Sequence, residues 1–171
     1  MTGIHIKTAA EAVRDQGFDK VCQAITDLEA ACFPSAEAAP YESFAARLTV
    51  FPDRFWLLYL NGELVSMVNG SLTDEKDLYD GMFHDATLHN PHGRWQMIFG
   101  VATRPDHQRE GHAGRLLVVA LEQCLKEGKE GVVLTCKQAK VPYYSKFGFV
   151  NEGLSSSQHG GDVWYQMRIK F

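Results

Sequence analysis

The sequence predicts a mixed α/β domain with a central sheet. Three observations carry that prediction. Apolar residues recur at helical spacing in Lys20–Ala31 and again from about Gly111 to Glu127. Apolar and other residues alternate with period two along Trp95–Ala102 and along Val163–Ile169. Strand-like and helix-like segments are interleaved along the chain, which places helices against a sheet.

Taken in order, Ile4–Lys7 reads as a short first strand. In Lys20–Ala31, Val21, Ala24, Ile25 and Leu28 share one helical face, and Cys32-Phe33-Pro34-Ser35 breaks the helix. Glu42–Leu48 is a second short helix, ended near Phe51-Pro52. Phe55–Leu60 is a compact apolar run, followed by Asn61-Gly62 and then Leu64–Gly70, the strongest short signal for a β-hairpin. Thr73–Pro91 is polar and acidic and reads as helix and loop, with His84, His89 and His92 in or just after it. Trp95, Met97, Phe99 and Val101 alternate with Gln96, Ile98, Gly100 and Ala102, which predicts one buried strand over Trp95–Thr103, stopped by Arg104-Pro105-Asp106. Gln108–Gly114 is a polar, glycine-bearing turn. The helix after it turns Leu116, Leu117, Ala120, Leu121, Cys124 and Leu125 inward and ends at Gly128. Val132–Cys136 is another buried strand, Val141–Phe147 a short helix closed by Gly148, and Val163, Tyr165, Met167 and Ile169 mark a final strand.

The chain has 171 residues, 45% of them hydrophobic, which suits a single domain over 1–171 with one packed core. A formal net charge of -4 argues against a general nucleic-acid binder. The four cysteines, Cys22, Cys32, Cys124 and Cys136, form no C-x-x-C pair, and no histidine cluster completes a metal-ligand spacing, so free thiols and no metal are expected. Met1–Lys7 lacks the layout of a signal peptide, and no apolar run approaches the ~20 residues that cross a membrane. The expectation is a cytoplasmic protein without a membrane or nucleic-acid partner.

Chemistry concentrates in the turn Gln108–Gly114. Gly111 and Gly114 carry no Cβ and Ala113 only a methyl, so backbone there can approach a ligand closely. The turn feeds a helix N-terminus, whose first amides lack helical partners and favour phosphate oxygens. Arg109 and His112 add charge nearby. The turn is neither a Walker-type loop nor a G-x-G-x-x-G fingerprint.

Gln108-Arg109-Glu110-Gly111-His112-Ala113 fits a Q/R-x-x-G-x-G/A signature, and the strand before it ends Phe99-Gly100-Val101. Downstream, Val141-Pro142-Tyr143-Tyr144-Ser145-Lys146-Phe147-Gly148-Phe149 carries a Y-x-x-x-G-F ending. On these motifs the chain resembles the GNAT acetyltransferase superfamily, most of all its serotonin N-acetyltransferase-like members. The resemblance is strongest over Trp95–Phe149. It implies a mostly antiparallel central sheet, splayed at an acetyl-CoA site and flanked by helices. It also implies that Phe99, Gly100 and Val101 present backbone groups to the pantetheine arm. The amides of Arg109, Glu110, Gly111, His112, Ala113 and Gly114 would then hold the pyrophosphate. Tyr144 would stand near the sulfur as proton or hydrogen-bond donor to the leaving thiolate.

The sequence departs from that pattern at one place. Serotonin-type enzymes carry an H-x-H pair on the central strand, where this chain has Trp95 and Met97, and neither is a base. His84, His89, His92, Glu63 or a water chain are the alternatives for deprotonating the amine. Cys136 is a candidate acyl-accepting nucleophile. A strand thiol without an activating histidine is normally inert, so direct attack in a ternary complex is preferred. Phe33, Tyr41, Phe44 and Phe55 are candidates for an apolar acceptor pocket, or for plain core. The expected activity is acetyl transfer from acetyl-CoA to a small-molecule primary amine, with a homodimer left open. Protein or peptide amines as acceptors, and a non-catalytic CoA-binding sensor, are the rival readings.

Overall fold

The computed structural model describes residues 3–171. In chain order the elements are β1 (Ile4–Thr8), α1 (Ala9–Gln16), α2 (Phe18–Cys32), α3 (Tyr41–Val50), β2 (Phe55–Leu60), β3 (Glu63–Asn69), β4 (Leu72–Thr73), α4 (Gly81–His84), β5 (Trp95–Ile98), β6 (Gly100–Thr103), α5 (His112–Lys126), β7 (Gly131–Cys136), α6 (Val141–Ser145), β8 (Val150–Leu154) and β9 (Tyr165–Lys170). They fall into two compact units. One holds the described residues up to Asn69 with Gly100–Ala120, and the other holds Gly70–Phe99 with Leu121–Phe171. Among the described residues no helix is long and apolar enough to cross a membrane.

The first unit is built on a four-stranded sheet in the order β1-β2-β3-β6, antiparallel at every pairing. The β2–β3 hairpin turns at Asn61-Gly62, with Leu60 opposite Glu63. Both turn residues have positive φ, 52° and 85°. That is the backbone a two-residue hairpin needs to follow the strand twist, and Asn and Gly tolerate it best. On α2, Val21, Ile25 and Leu28 are buried, as the helical spacing predicts. Phe44 of α3 meets Phe55 of β2 edge-on at 6.3 Å, and Phe51 stacks on Phe55 at 6.0 Å. All three rings are fully buried. Helix α1 lies outside the elements expected from the sequence. Its signal is Thr8, whose hydroxyl accepts the Glu11 amide while the Glu11 carboxylate reaches back to the Thr8 amide. That reciprocal cap satisfies donors a helix start would otherwise leave open.

The second unit carries a five-stranded sheet in the order β4-β5-β7-β9-β8. Its β5–β7 pair is parallel and its other pairs antiparallel. Trp95 and Met97 of β5 pack with Val133 of β7 and with Leu78 and Met82, and Phe83 and Phe99 lie against that cluster. After α5, the amides of Gly128 and Lys129 return to the carbonyls of Leu125 and Cys124 at 3.1 and 3.0 Å. This is the Schellman closure, so Gly128 ends the helix as expected. The β8 strand was not anticipated. It is an edge strand whose Val150 and Leu154 are exposed, and its sequence lacks alternation.

One expectation is corrected. Trp95–Thr103 is not a single strand but β5 and β6, separated by Phe99 and paired into different sheets. β5 pairs with β4 and β7, whereas β6 pairs with β3. The apolar spacing runs on across the break although burial does not follow it, since all of Trp95–Ile98 is buried and Ala102 is more buried than Val101, so the spacing carries no record of which strand lies alongside. The mixed α/β class, with mostly antiparallel sheet flanked by helices, stands as expected.

Candidate functional site

In the first unit the residues expected to grip a diphosphate form a continuous loop into α5. The first helical bond of α5 runs from the Arg115 amide to the Gly111 carbonyl, at 3.1 Å. The amides of His112, Ala113 and Gly114 therefore start the helix without an acceptor one turn back. Two loop residues take left-handed backbone, Arg109 with φ 66° and Gly111 with φ 84°. For Gly111 this conformation costs little. For Arg109 it stores strain of order 1–3 kcal/mol, of the kind found at ligand-binding turns. A Cβ built on Gly111 meets no protein atom within 4 Å, so the space beside it is open. Arg109, Glu110 and Gly111 are exposed, Ala113 and Gly114 half-buried, and the His112 side chain buried.

The side chains of the loop are tied to one another. Glu110 Oε1 lies 3.0 Å from His107 Nδ1 and 3.0 Å from His112 Nε2. Hydrogen bonds from the two imidazoles hold the Glu110 carboxyl below its ordinary value. Three potential ligand atoms thus lie within 4.8 Å of one another, although the sequence shows no metal-ligand spacing. Both ring nitrogens sit at hydrogen-bond distance from one oxygen, so hydrogen bonds account for the cluster without a cation. The arrangement turns the Glu110 charge onto imidazoles and leaves its backbone amide as its contribution to an anion site.

Gly100 opens β6 opposite Asn69 of β3, and Val101 stands opposite Val68. A Cβ on Gly100 would lie 3.3 Å from Asn69 Nδ2 and 3.8 Å from Glu29 Oε1. Glu29, on α2, is 7% exposed, and its Oε2 accepts the Ala39 amide at 3.0 Å. Arg47, on α3, donates to Asn69 Oδ1 at 3.1 Å. Burial lowers the Arg47 guanidinium to about 10, against the opposing pull of the Glu29 carboxylate, so it stays cationic at neutral pH. Sequence reasoning missed Glu29, Arg47 and Asn69. The signal for Glu29 is its position four residues after Ile25, on the buried face of α2, where a carboxylate needs a reason to be.

In the second unit, Tyr144 of α6 is 8% exposed and packs edge-on to Tyr143 at 5.1 Å and to Phe149 at 6.0 Å. Burial, with smaller contributions from Cys136 and Tyr143, pushes its phenol far above the ordinary tyrosine value, so it remains a proton donor at neutral pH. Burial also raises the Cys136 thiol to about 11, which keeps it from acting as a thiolate nucleophile. Phe99 is half-buried, with Phe83 edge-on at 5.2 Å. Trp95 and Met97 are core.

The other sequence candidates have other work. Glu63 accepts from Arg104 at 3.0 Å on the surface. His89 Nδ1 accepts the Leu72 amide at 3.0 Å. His84 and His92 are exposed. Phe44 and Phe55 belong to the core of the first unit and not to a pocket wall, and the Tyr41 hydroxyl donates to Asp19 at 3.2 Å.

Residues 22–149 match the model of a family described as the acetyltransferase (GNAT) family. Over 103 residues the chain is 32% identical to the serotonin N-acetyltransferase of Mesocricetus auratus, a match covering 60% of this chain and 48% of that protein. The chain thus spans about half the length of that curated relative. Among solved structures it resembles the loading GNATL domain of CurA from Lyngbya majuscula, with a TM-score of 0.80 at 15% identity over 99% of this chain and 98% of that one. It also resembles the GphF GNAT-like decarboxylase in complex with isobutyryl-CoA, with a TM-score of 0.74 at 17% identity over 97% and 98% of the two chains. At such identities the likeness is one of fold.

Proposed function

The chain belongs to the acetyltransferase (GNAT) family, and we propose that it moves an acetyl group from acetyl-CoA to a primary amine by direct attack. The observation that carries the reading is the loop Arg109–Gly114, in which two left-handed residues lead into a helix start with open amides. Left-handed residues on either side of Glu110 aim backbone N–H groups into a concavity that suits an anion, and the helix dipole adds to it. A diphosphate is the ligand of that charge and shape that an acetyl-CoA enzyme must hold. The solved fold relative with isobutyryl-CoA bound is consistent with an acyl-CoA ligand.

In this mechanism the amides of Arg109 to Gly114 hold the pyrophosphate. Phe99, Gly100 and Val101 lie along the pantetheine arm and offer it backbone groups. The uncharged amine attacks the thioester carbonyl carbon, and a backbone amide near Gly100 polarises that carbonyl. The C–S bond breaks, Tyr144 gives its proton to the departing thiolate, and the proton that the acylated nitrogen loses restores the phenol through water. A thiol of ordinary pKa ~8.5 needs only modest help to leave. Positioning and fixed dipoles supply most of the rate. No step passes through Cys136, whose thiol stays protonated.

The test is an assay of CoA thiol release with acetyl-CoA and a panel of primary amines, arylalkylamines and short peptides included. Thiol release that requires an amine supports the reading, and the preferred acceptor separates small-molecule from peptide transfer. Acetyl-CoA binding without release on any amine would make the chain a sensor.

A further inference from the structure

Direct attack leaves a chemical problem, because an alkylammonium has no lone pair and neither Trp95 nor Met97 of β5 is a base. The structure places a different group beside Gly100. The Glu29 carboxylate is buried on α2, and its Oε1 lies 3.8 Å from the position a Gly100 Cβ would occupy. Asn69 of β3 is fully buried. Its Oδ1 is used by Arg47, whereas its Nδ2 has no acceptor among the described residues and lies 3.3 Å from the same position. Leaving a buried amide donor without an acceptor is costly, so such a group points to an oxygen supplied from outside the chain. A buried carboxylate costs more still unless cations or donors hold it, and Arg47 supplies a guanidinium from within the same cluster. With no side chain at residue 100, Glu29 Oε1 and Asn69 Nδ2 both border the position that a Cβ would take.

We infer that this niche over Gly100 is the acceptor-amine site, with Glu29 receiving the ammonium and taking its first proton. The inference rests on the acetyltransferase reading and deepens it, since it makes the acceptor a cation. The ammonium donates N–H to Glu29 Oε1 and yields one proton to it, which passes to water. The freed lone pair forms the C–N bond, and the carbonyl oxygen, now carrying charge, accepts from Asn69 Nδ2. On collapse the C–S bond breaks, and the second amine proton accounts for the one gained by the thiolate. The net release is one proton, one thiol and one amide, so charge and atoms balance. Arg47 is a positioning residue. It holds Asn69 Oδ1, which turns Nδ2 toward the niche, and its guanidinium interacts electrostatically with the Glu29 carboxylate.

The experiment compares wild type with Glu29→Gln on two acceptors at neutral pH. One is the best alkylamine from the panel, which is protonated, and the other is hydroxylamine, which is already uncharged. Glu29→Gln should lower kcat/KM for the alkylamine by about 100-fold. It should lower that for hydroxylamine less than tenfold and leave the acetyl-CoA dissociation constant within twofold. A purely structural role for Glu29 would lower both acceptors alike, and that result overturns the inference. So does alkylamine transfer within threefold of wild type. Should Glu29→Gln fail to fold, the same ratio is read on Glu29→Asp, where the shortened carboxylate should again lower alkylamine transfer more than hydroxylamine transfer. A wild type that binds acetyl-CoA but acetylates neither acceptor overturns the transferase reading itself. Wild-type transfer that the variants leave unchanged overturns only the role of Glu29.

Discussion

Asn69 and Gly100 face one another across the β3–β6 ladder, and the missing Cβ of Gly100 is what separates the Asn69 amide from a methyl contact at 3.3 Å. At that spacing the Asn69 amide must give by a few tenths of an ångström against the Arg47 hydrogen bond that holds it, a modest cost to folding. The methyl would, however, occupy the niche beside Glu29. Gly100→Ala should leave the thermal midpoint within a few degrees of wild type and raise KM for the amine at least tenfold, as read from melting curves and steady-state kinetics. An unchanged amine KM would show that the niche does not receive the acceptor.

Tyr144 is protonated throughout the neutral range because it is buried. Tyr144→Phe keeps the ring and its contacts with Tyr143 and Phe149 and removes only the hydroxyl. Turnover should fall by about 100-fold with acetyl-CoA affinity largely kept. Single-turnover kinetics with titration of the cofactor check this, and unchanged turnover would remove Tyr144 from the mechanism.

Cys136 offers the opposite control. Its thiol, raised to about 11 by burial, carries no nucleophilic role in direct transfer. Cys136→Ala should keep kcat within twofold while costing about 1 kcal/mol of stability through the small cavity it leaves. Loss of activity in a folded variant would revive a two-step route.

Stability of the second unit has its own polar anchor. Arg168, 2% exposed, donates to Asp77 at 2.6 Å, to Glu152 at 2.9 Å and to the Lys76 carbonyl at 2.7 Å, and lies 4.8 Å over the Trp95 ring. The Asp77 side chain is 66% exposed and that of Glu152 32%, so removing Arg168 leaves neither carboxylate buried, and Arg168→Met should cost about 1–2 kcal/mol in denaturant titrations through its lost hydrogen bonds. The hydrogen bond from Arg168 lowers the Glu152 carboxyl below its ordinary value. A depressed carboxyl stabilises the fold above its unfolded pKa of ~4.3 and loses that contribution as pH falls through the folded value. Melting temperatures between pH 6 and pH 3 should therefore decline less in Glu152→Gln than in wild type.

Much of this was legible in the chain because local chemistry wrote it. Asn61-Gly62 could only be a tight turn, Gly128 closes α5, and the open-amide loop is readable from Gly111 and Gly114. What was hidden depends on partners distant in sequence. Phe99 sits inside an unbroken alternation, yet the chain changes sheets there, because residue spacing along one strand does not name the strand beside it. Glu29 looks like one more charge on a helix until α3 and β3 bring Arg47 and Asn69 beside it. Thr8 and Glu11, by contrast, spell a capping box in plain sequence, and α1 was there to be read. The β8 strand left no trace because Asn151, Glu152 and Gly153 interrupt any pattern at an exposed edge.

Calorimetric titration of the folded chain with CoA and with acetyl-CoA reaches the diphosphate grip itself. Saturable heat at one site per chain is expected, with affinity at least tenfold weaker in Gly111→Val, whose side chain would enter the open space beside the loop. Circular dichroism confirms that the variant is folded, since a branched residue at φ 84° carries a strain of about 1–2 kcal/mol. Wild-type protein that is folded and gives no heat with either ligand would contradict the account.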